Sequence, residues 1–296
     1  LIKDVTLSSR LFSICNYLFL TLLSFSCIFP IIHIFSISFS SDLAVTAGDV
    51  KLWPVDFTTD AYRIVLAKAE FVRSIGVSVQ RVLLGVSINM FMAVTMAYPL
   101  SKEARVFPQR TLYAWIIVFT ILFHGGLIPT FMTVRATGIL DTIWALVLPG
   151  AVPVFNVLLL LNFFRGLPKE LDEAAMMDGA GHMTTLIKIY LPLSLPALAT
   201  IGLFSTVGHW NAWFDGMIYM NSPVHYPLQT YLRTIVIDLD LSTLSGTGDT
   251  LKEYDKVSAR TVRAAQIFLG ALPILMIYPF LQRYFTKGIV LGSVKE

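Results

Sequence analysis

Apolar residues fall along this chain in six long runs, at about 11–39, 74–100, 111–128, 142–163, 190–213 and 262–282. Each is close to the roughly 20 residues that a helix needs to cross a hydrocarbon layer. The pattern therefore predicts an all-α integral membrane protein with about six transmembrane helices, read as one transmembrane domain over 1–296. The first run begins after Lys3 and Arg10, as a secretory signal does, but continues from Leu11 to Phe39. That is far beyond a signal's apolar core of roughly 7–15 residues, so a retained first span is expected. Prolines sit inside several runs: Pro30, Pro149, Pro153, Pro192, Pro196, Pro273 and Pro279. In lipid such breaks survive where neighbouring helices or a water-filled cavity satisfy the freed backbone groups, although plain membrane helices carry prolines too. No internal repeat of fixed period is visible.

The polar segments between the runs give an orientation. Lys102, Arg105 and Arg110 crowd one short loop, and Arg283, Lys287 and Lys295 crowd the tail. With Lys3, Arg10, Arg165, Lys169 and Lys188 they fall on one side of a six-span chain, which places both termini in the cytoplasm. Basic residues on the other side are spread over the long linkers 40–73 and 214–261, which count little in this rule.

Composition agrees with the pattern. Apolar residues make up 55% of the 296 and charged residues 14%, an excess that a soluble chain could not hide. The net charge of +3 is too mild to suggest nucleic acid. Cys15 and Cys27 share one expected helix, roughly 18 Å apart, so they cannot pair.

The segment 164–189, expected in the cytoplasm, reads as two short helices joined by a glycine turn. Pro168 suits a first helical position, and Glu170, Asp172 and Glu173 complement the positive helix end. Gly179 stands where a left-handed cap would close the helix. Met183, Leu186, Ile187 and Tyr190 then recur at helical spacing. Physics alone also allows an interfacial helix lying on the bilayer.

Glu173-Ala174-Ala175-Met176-Met177-Asp178-Gly179-Ala180, with Ile189 and the Pro192 and Pro196 pair, resembles the EAA loop of ABC importer permeases. In that family the loop is the coupling helix that docks on an ATPase subunit. The resemblance implies that Glu173, Ala174, Ala175, Asp178, Gly179 and Ala180 carry the coupling. Phe123–Pro129, Gly208–Asn211, Tyr226–Gln229 and Tyr278–Gly288 are similar to oligosaccharide permeases of the maltose-importer group. Within that group the similarity points to an acidic, alginate-type oligosaccharide. It implies a bacterial inner-membrane chain that pairs with a second permease, expected to be a different one. It also implies a dimer of ATPase subunits inside, holding ATP and Mg²⁺, and a solute-binding protein outside. No cofactor is expected in this chain. The similarity weakens in 40–73 and 240–260.

Other classes leave little trace. The chain has no Gly-Lys dipeptide to end a phosphate-binding loop, and Leu244–Gly248 only faintly resembles an ATPase signature. The five histidines show no i, i+4 pairing for metal, and no Gly-x-Ser-x-Gly elbow is present. A proton-coupled carrier or channel and a multi-span membrane enzyme are the alternatives. Candidates for the substrate path are Arg81, Asn89, Asn156, His209 and Asn211. His209 beside Trp210 also fits an interface anchor. Arg81 fits either a path-lining charge or a structural arginine that snorkels or ties helices. Tyr231, Asp238 and Asp240 are candidates for contact with a binding protein.

Overall fold

The computed structural model of the protein describes residues 7–235 and 260–279. Its helices run, in chain order, α1 (Leu7–Ser38), α2 (Asp42–Ala47), α3 (Asp60–Ala67), α4 (Ala69–Ser101), α5 (Arg110–Leu122) and α6 (Leu127–Ala136). Then follow α7 (Ile143–Gly150), α8 (Val154–Arg165), α9 (Glu170–Met177), α10 (His182–Leu193) and α11 (Leu195–Asn211). The last three are α12 (Phe214–Tyr219), α13 (228–235) and α14 (Arg260–Pro279). No strand occurs among the described residues.

Three of these helices, α1, α4 and α14, are long and apolar enough to cross a membrane. Of the other three expected spans, 142–163 is itself a bent pair, and 111–128 and 190–213 each lie largely in one arm of a bent pair, α5 and α11. α5 and α6 meet at 114°, α7 and α8 at 46°, and α10 and α11 at 81°. The run expected over 111–128 thus stops at Leu122, and the Phe123-His-Gly-Gly stretch turns the chain with Gly126 at φ +86°. Such a conformation favours glycine. Pro149 and Pro153 mark the second break and Pro196 the third.

Within the described residues the chain forms two compact units, one of 7–69 with 260–272 and the other of 70–235 with 273–279. In the first, serines tie the end of α1 to the segment that follows. Ser36 Oγ donates to the Leu52 carbonyl at 2.7 Å, and the Ser38 and Tyr62 hydroxyls lie 2.7 Å apart. Ser41 caps α2 by accepting the Ala44 N–H, as an N-cap serine does. Phe35 of α1 packs on Phe268 of α14 with ring centroids 5.2 Å apart.

The second unit has its core around the C-terminal half of α4. Ala93, Ala97, Tyr98 and Leu100 pack with Ile117 of α5, with Val157, Leu160, Leu161 and Phe164 of α8, and with Leu186, Tyr190, Ala197 and Ile201 of α10 and α11. Small side chains on α4 let its neighbours approach closely. Backbone groups freed at the breaks find partners here, as a lipid-embedded chain requires. Asn89 of α4 donates to the carbonyls of Gly150 (2.7 Å) and Ala151 (3.0 Å), at the break between α7 and α8.

Replacing Asn89 with leucine leaves both carbonyls without a donor. The expected cost is about 1–3 kcal/mol, read as a lower midpoint of thermal unfolding in detergent. An unchanged midpoint would show that the break is not held by Asn89.

Candidate functional site

The helix–turn–helix at 170–193 is built as the sequence suggests and held in a way that the sequence does not announce. α9 ends in a Schellman cap. Gly179 has φ +75°, its N–H donates to Met176 O (3.0 Å), and Ala180 N–H reaches Ala175 O (2.9 Å). Glu173, Ala174, Asp178 and Gly179 are exposed, Ala180 is half-buried, and Ala175 is buried against the body of the unit. The expected apolar stripe of α10 is split. Leu186 and Tyr190 point inward, whereas Met183 and Ile187 are exposed. A π-turn spans Leu186–Tyr190, where the helix is locally widened. Met176, Met177, Met183 and Ile187 together give this element an exposed apolar tip.

Beneath α9 lies a buried ion pair. Lys102, just past the end of α4, is 5% exposed and donates to both carboxylate oxygens of Asp172 at 2.8 and 2.7 Å. Tyr190 of α10 donates to the same carboxylate at 2.8 Å. The ammonium also sits over the rings of Tyr98 (4.3 Å) and Tyr190 (4.1 Å), positions in which the ring faces attract a cation. Burial pulls the Lys102 ammonium below the usual lysine range, and the hydrogen bond and charge of Asp172 push back. One carboxylate therefore joins α4, α9 and α10. An exposed bond from Lys169 to Glu103 runs alongside and adds little.

Within the same unit a cavity of about 620 Å³ is lined by Arg81, Asn89, His124, Asn156, His209 and Asp215, among others. Four of the five expected path residues are thus brought together. Asn211 is exposed and does not line it. His209 Nε2 lies 2.7 Å from Asn89 Oδ1. As the amide nitrogen of Asn89 is already donating, the carbonyl oxygen is the acceptor and Nε2 carries the proton. Gly85 makes this possible, since a Cβ there would meet the His209 ring at 2.4–2.7 Å. Asn156 donates to Ser205 Oγ at 3.1 Å. Arg81 is 2% exposed and faces the Asp215 carboxylate with both terminal nitrogens, one at 3.1 Å, and that same nitrogen also reaches Ala212 O at 3.2 Å. Both terminal nitrogens are therefore held from within the chain, while Nε is buried with no partner among the described residues.

Of the residues expected to meet a binding protein, Tyr231 is half-buried on α13, its ring 6.2 Å from that of Phe71. Asp238 and Asp240 lie outside the described residues. Asp215, Lys102, Asp172 and His124 were not singled out from sequence as functional. A charge opposite in sign to Arg81 just beyond the fifth run was the available signal for Asp215. For Lys102 none existed, because a lysine at a span end reads as a topological marker.

No family model matches the chain. Among known proteins, it is 40% identical over 290 residues to Protein LplC of Bacillus subtilis (strain 168), covering 98% of this chain and 97% of that one. It is 38% identical over 289 residues to the polygalacturonan/rhamnogalacturonan transport system permease protein YtcP of the same organism, covering 98% and 100%. Among solved structures it resembles a chain of a bacterial ABC transporter involved in the import of the acidic polysaccharide alginate. The TM-score is 0.85 and the identity 34%, over 95% of this chain and 98% of that one. Similarity of this extent leads to one conclusion: the protein belongs to the permeases of ATP-driven ABC carbohydrate importers.

Proposed function

We propose that this chain forms one half of the membrane path of an importer for acidic oligosaccharides, in a heterodimer with a second, different permease. Family membership itself makes it a multi-pass inner-membrane transport subunit rather than an enzyme, working with an ATPase and a solute-binding protein. The finer reading assigns ATP and Mg²⁺ wholly to two ATPase subunits, and assigns the exposed tip of α9 and α10 to their docking groove. Both termini are placed on that same, cytoplasmic side.

The observation that carries the coupling assignment is the exposed methionine-rich tip mounted on a buried ion pair. Flexible, polarizable methionines suit a contact that must be kept while both partners move. Closure of the ATPases would shift α9 as a rigid lever and, through Lys102, the end of α4, so that the path opens alternately to each side. Acidic cargo is supported by two relatives whose names specify polygalacturonan and alginate. Because Arg81 is held by Asp215, uronate carboxylates in the cavity would meet neutral hydrogen-bond donors such as the His124 ring rather than a free cation.

In vesicles containing the assembled importer, uptake of uronate oligosaccharides should require ATP and exceed uptake of neutral maltodextrins. Gly179→Val should abolish it while the chain still reaches the membrane, because a β-branched residue resists φ +75°. Normal transport by that variant would remove the coupling assignment, and preference for neutral sugars would remove the cargo assignment.

Orientation has its own test. A single cysteine at Ser101 should react only with membrane-permeant reagents, and one at Ser222 with impermeant reagents as well. The opposite pattern would invert the topology.

A further inference from the structure

Three membrane helices end around one basic cavity beside the coupling element. α4 ends at Ser101, α5 begins at Arg110 and α8 ends at Arg165. The cavity has a volume of about 540 Å³, and its wall carries Lys102, Arg105, Arg110, Arg165 and Lys169 against Glu103 and Asp172. Both acids are already taken, Asp172 by Lys102 and Glu103 by Lys169. Arg110 and Arg165 each direct one nitrogen at a neutral backbone carbonyl, of Lys102 (2.6 Å) and Leu100 (3.1 Å). Arg105 is exposed and its side chain makes no hydrogen bond among the described residues. Three guanidinium charges therefore converge with no carboxylate at salt-bridge distance among the described residues, although Glu103, already held by Lys169, feels the charges of Arg105 and Arg110 from farther away.

Guanidinium groups clustered at the ends of membrane spans lie at the level of the lipid headgroups, where an anionic phosphate is available to them. Arginine forks match phosphate oxygens in pairs.

We infer that this cavity binds the phosphate of an anionic phospholipid headgroup, and that the bound lipid braces the coupling element. The wall that holds the phosphate includes Lys102, Asp172 and Lys169, the residues that fix α9 to α4. An acidic segment of the ATPase is the competing occupant. The position favours lipid, because the cavity lies at the ends of three spans, at headgroup level, and not at the exposed tip of α9.

The test uses the whole importer, reconstituted in phosphatidylcholine vesicles with or without phosphatidylglycerol, extracted, and analysed by native mass spectrometry for retained lipid. Phosphatidylglycerol should stay bound and phosphatidylcholine should not. Arg105→Gln with Arg165→Gln should lower retention on the order of tenfold per lost contact. The corresponding lysine pair should fall between, since charge without the fork is a weaker match. Arg105→Gln alone removes a cation without a structural bond, so its loss of retention cannot be blamed on misfolding. Equal retention of both lipids, or full retention by the glutamine pair, overturns the inference. If the glutamine pair sheds the ATPase while keeping phosphatidylglycerol, the cavity belongs to the subunit interface and the inference fails.

Discussion

A lysine ammonium that is 5% exposed has to be paired, because leaving it alone in low dielectric would cost several kcal/mol. Lys102 meets this need with a single carboxylate, Asp172, and the choice of partner organises the cytoplasmic end of the unit. Asp172 lies in the first turn of α9, Lys102 follows the last residue of α4, and Tyr190 closes the group from α10. Moving α9 without α4 would break the pair. The same group fixes which surface remains outside: with Leu186 and Tyr190 turned in, Met183 and Ile187 must face out, beside Met176 and Met177.

α4 extends the constraint along its length. Asn89 lies 13 residues before Lys102 and Arg81 lies 21 before it, about 20 Å and about 30 Å along a helix. Each of these is a polar residue with an internal partner: Asn89 holds the α7–α8 break and His209, and Arg81 holds Asp215. A chain in lipid cannot leave donors and acceptors to water, so broken spans and buried polar side chains occur together. One rod thus connects the α9–α10 pair to the residues that line the cavity, which is what the proposed coupling by rigid-body motion needs.

Much of the fold was legible in the sequence. Apolar runs announced the membrane helices because lipid imposes length and composition on them, and Gly179 announced its turn because few residues tolerate a positive φ. The breaks were harder. Proline flagged those near Pro153 and Pro196, but the turn at 123–126 is made by glycine in an otherwise apolar run. Residue roles depended on contacts between distant segments. Arg81 could have been a free cation until Asp215, far along the chain, came to face it. Lys102 read as one of several charges that set topology. The π-turn in α10 has no clear signature in residue types.

The Lys102–Asp172 pair is proposed to transmit motion and to do more than stabilise. Lys102→Met alone strands a carboxylate and should cost about 3–5 kcal/mol, lowering the amount of assembled importer. Lys102→Met combined with Asp172→Leu removes both charges and should restore assembly. The decisive measurement is sugar imported per ATP hydrolysed by that double variant, in vesicles normalised to assembled importer. The account predicts hydrolysis near the wild-type rate with a clearly lower transport yield. A yield equal to wild type would mean that the pair only holds the fold together, and would contradict it.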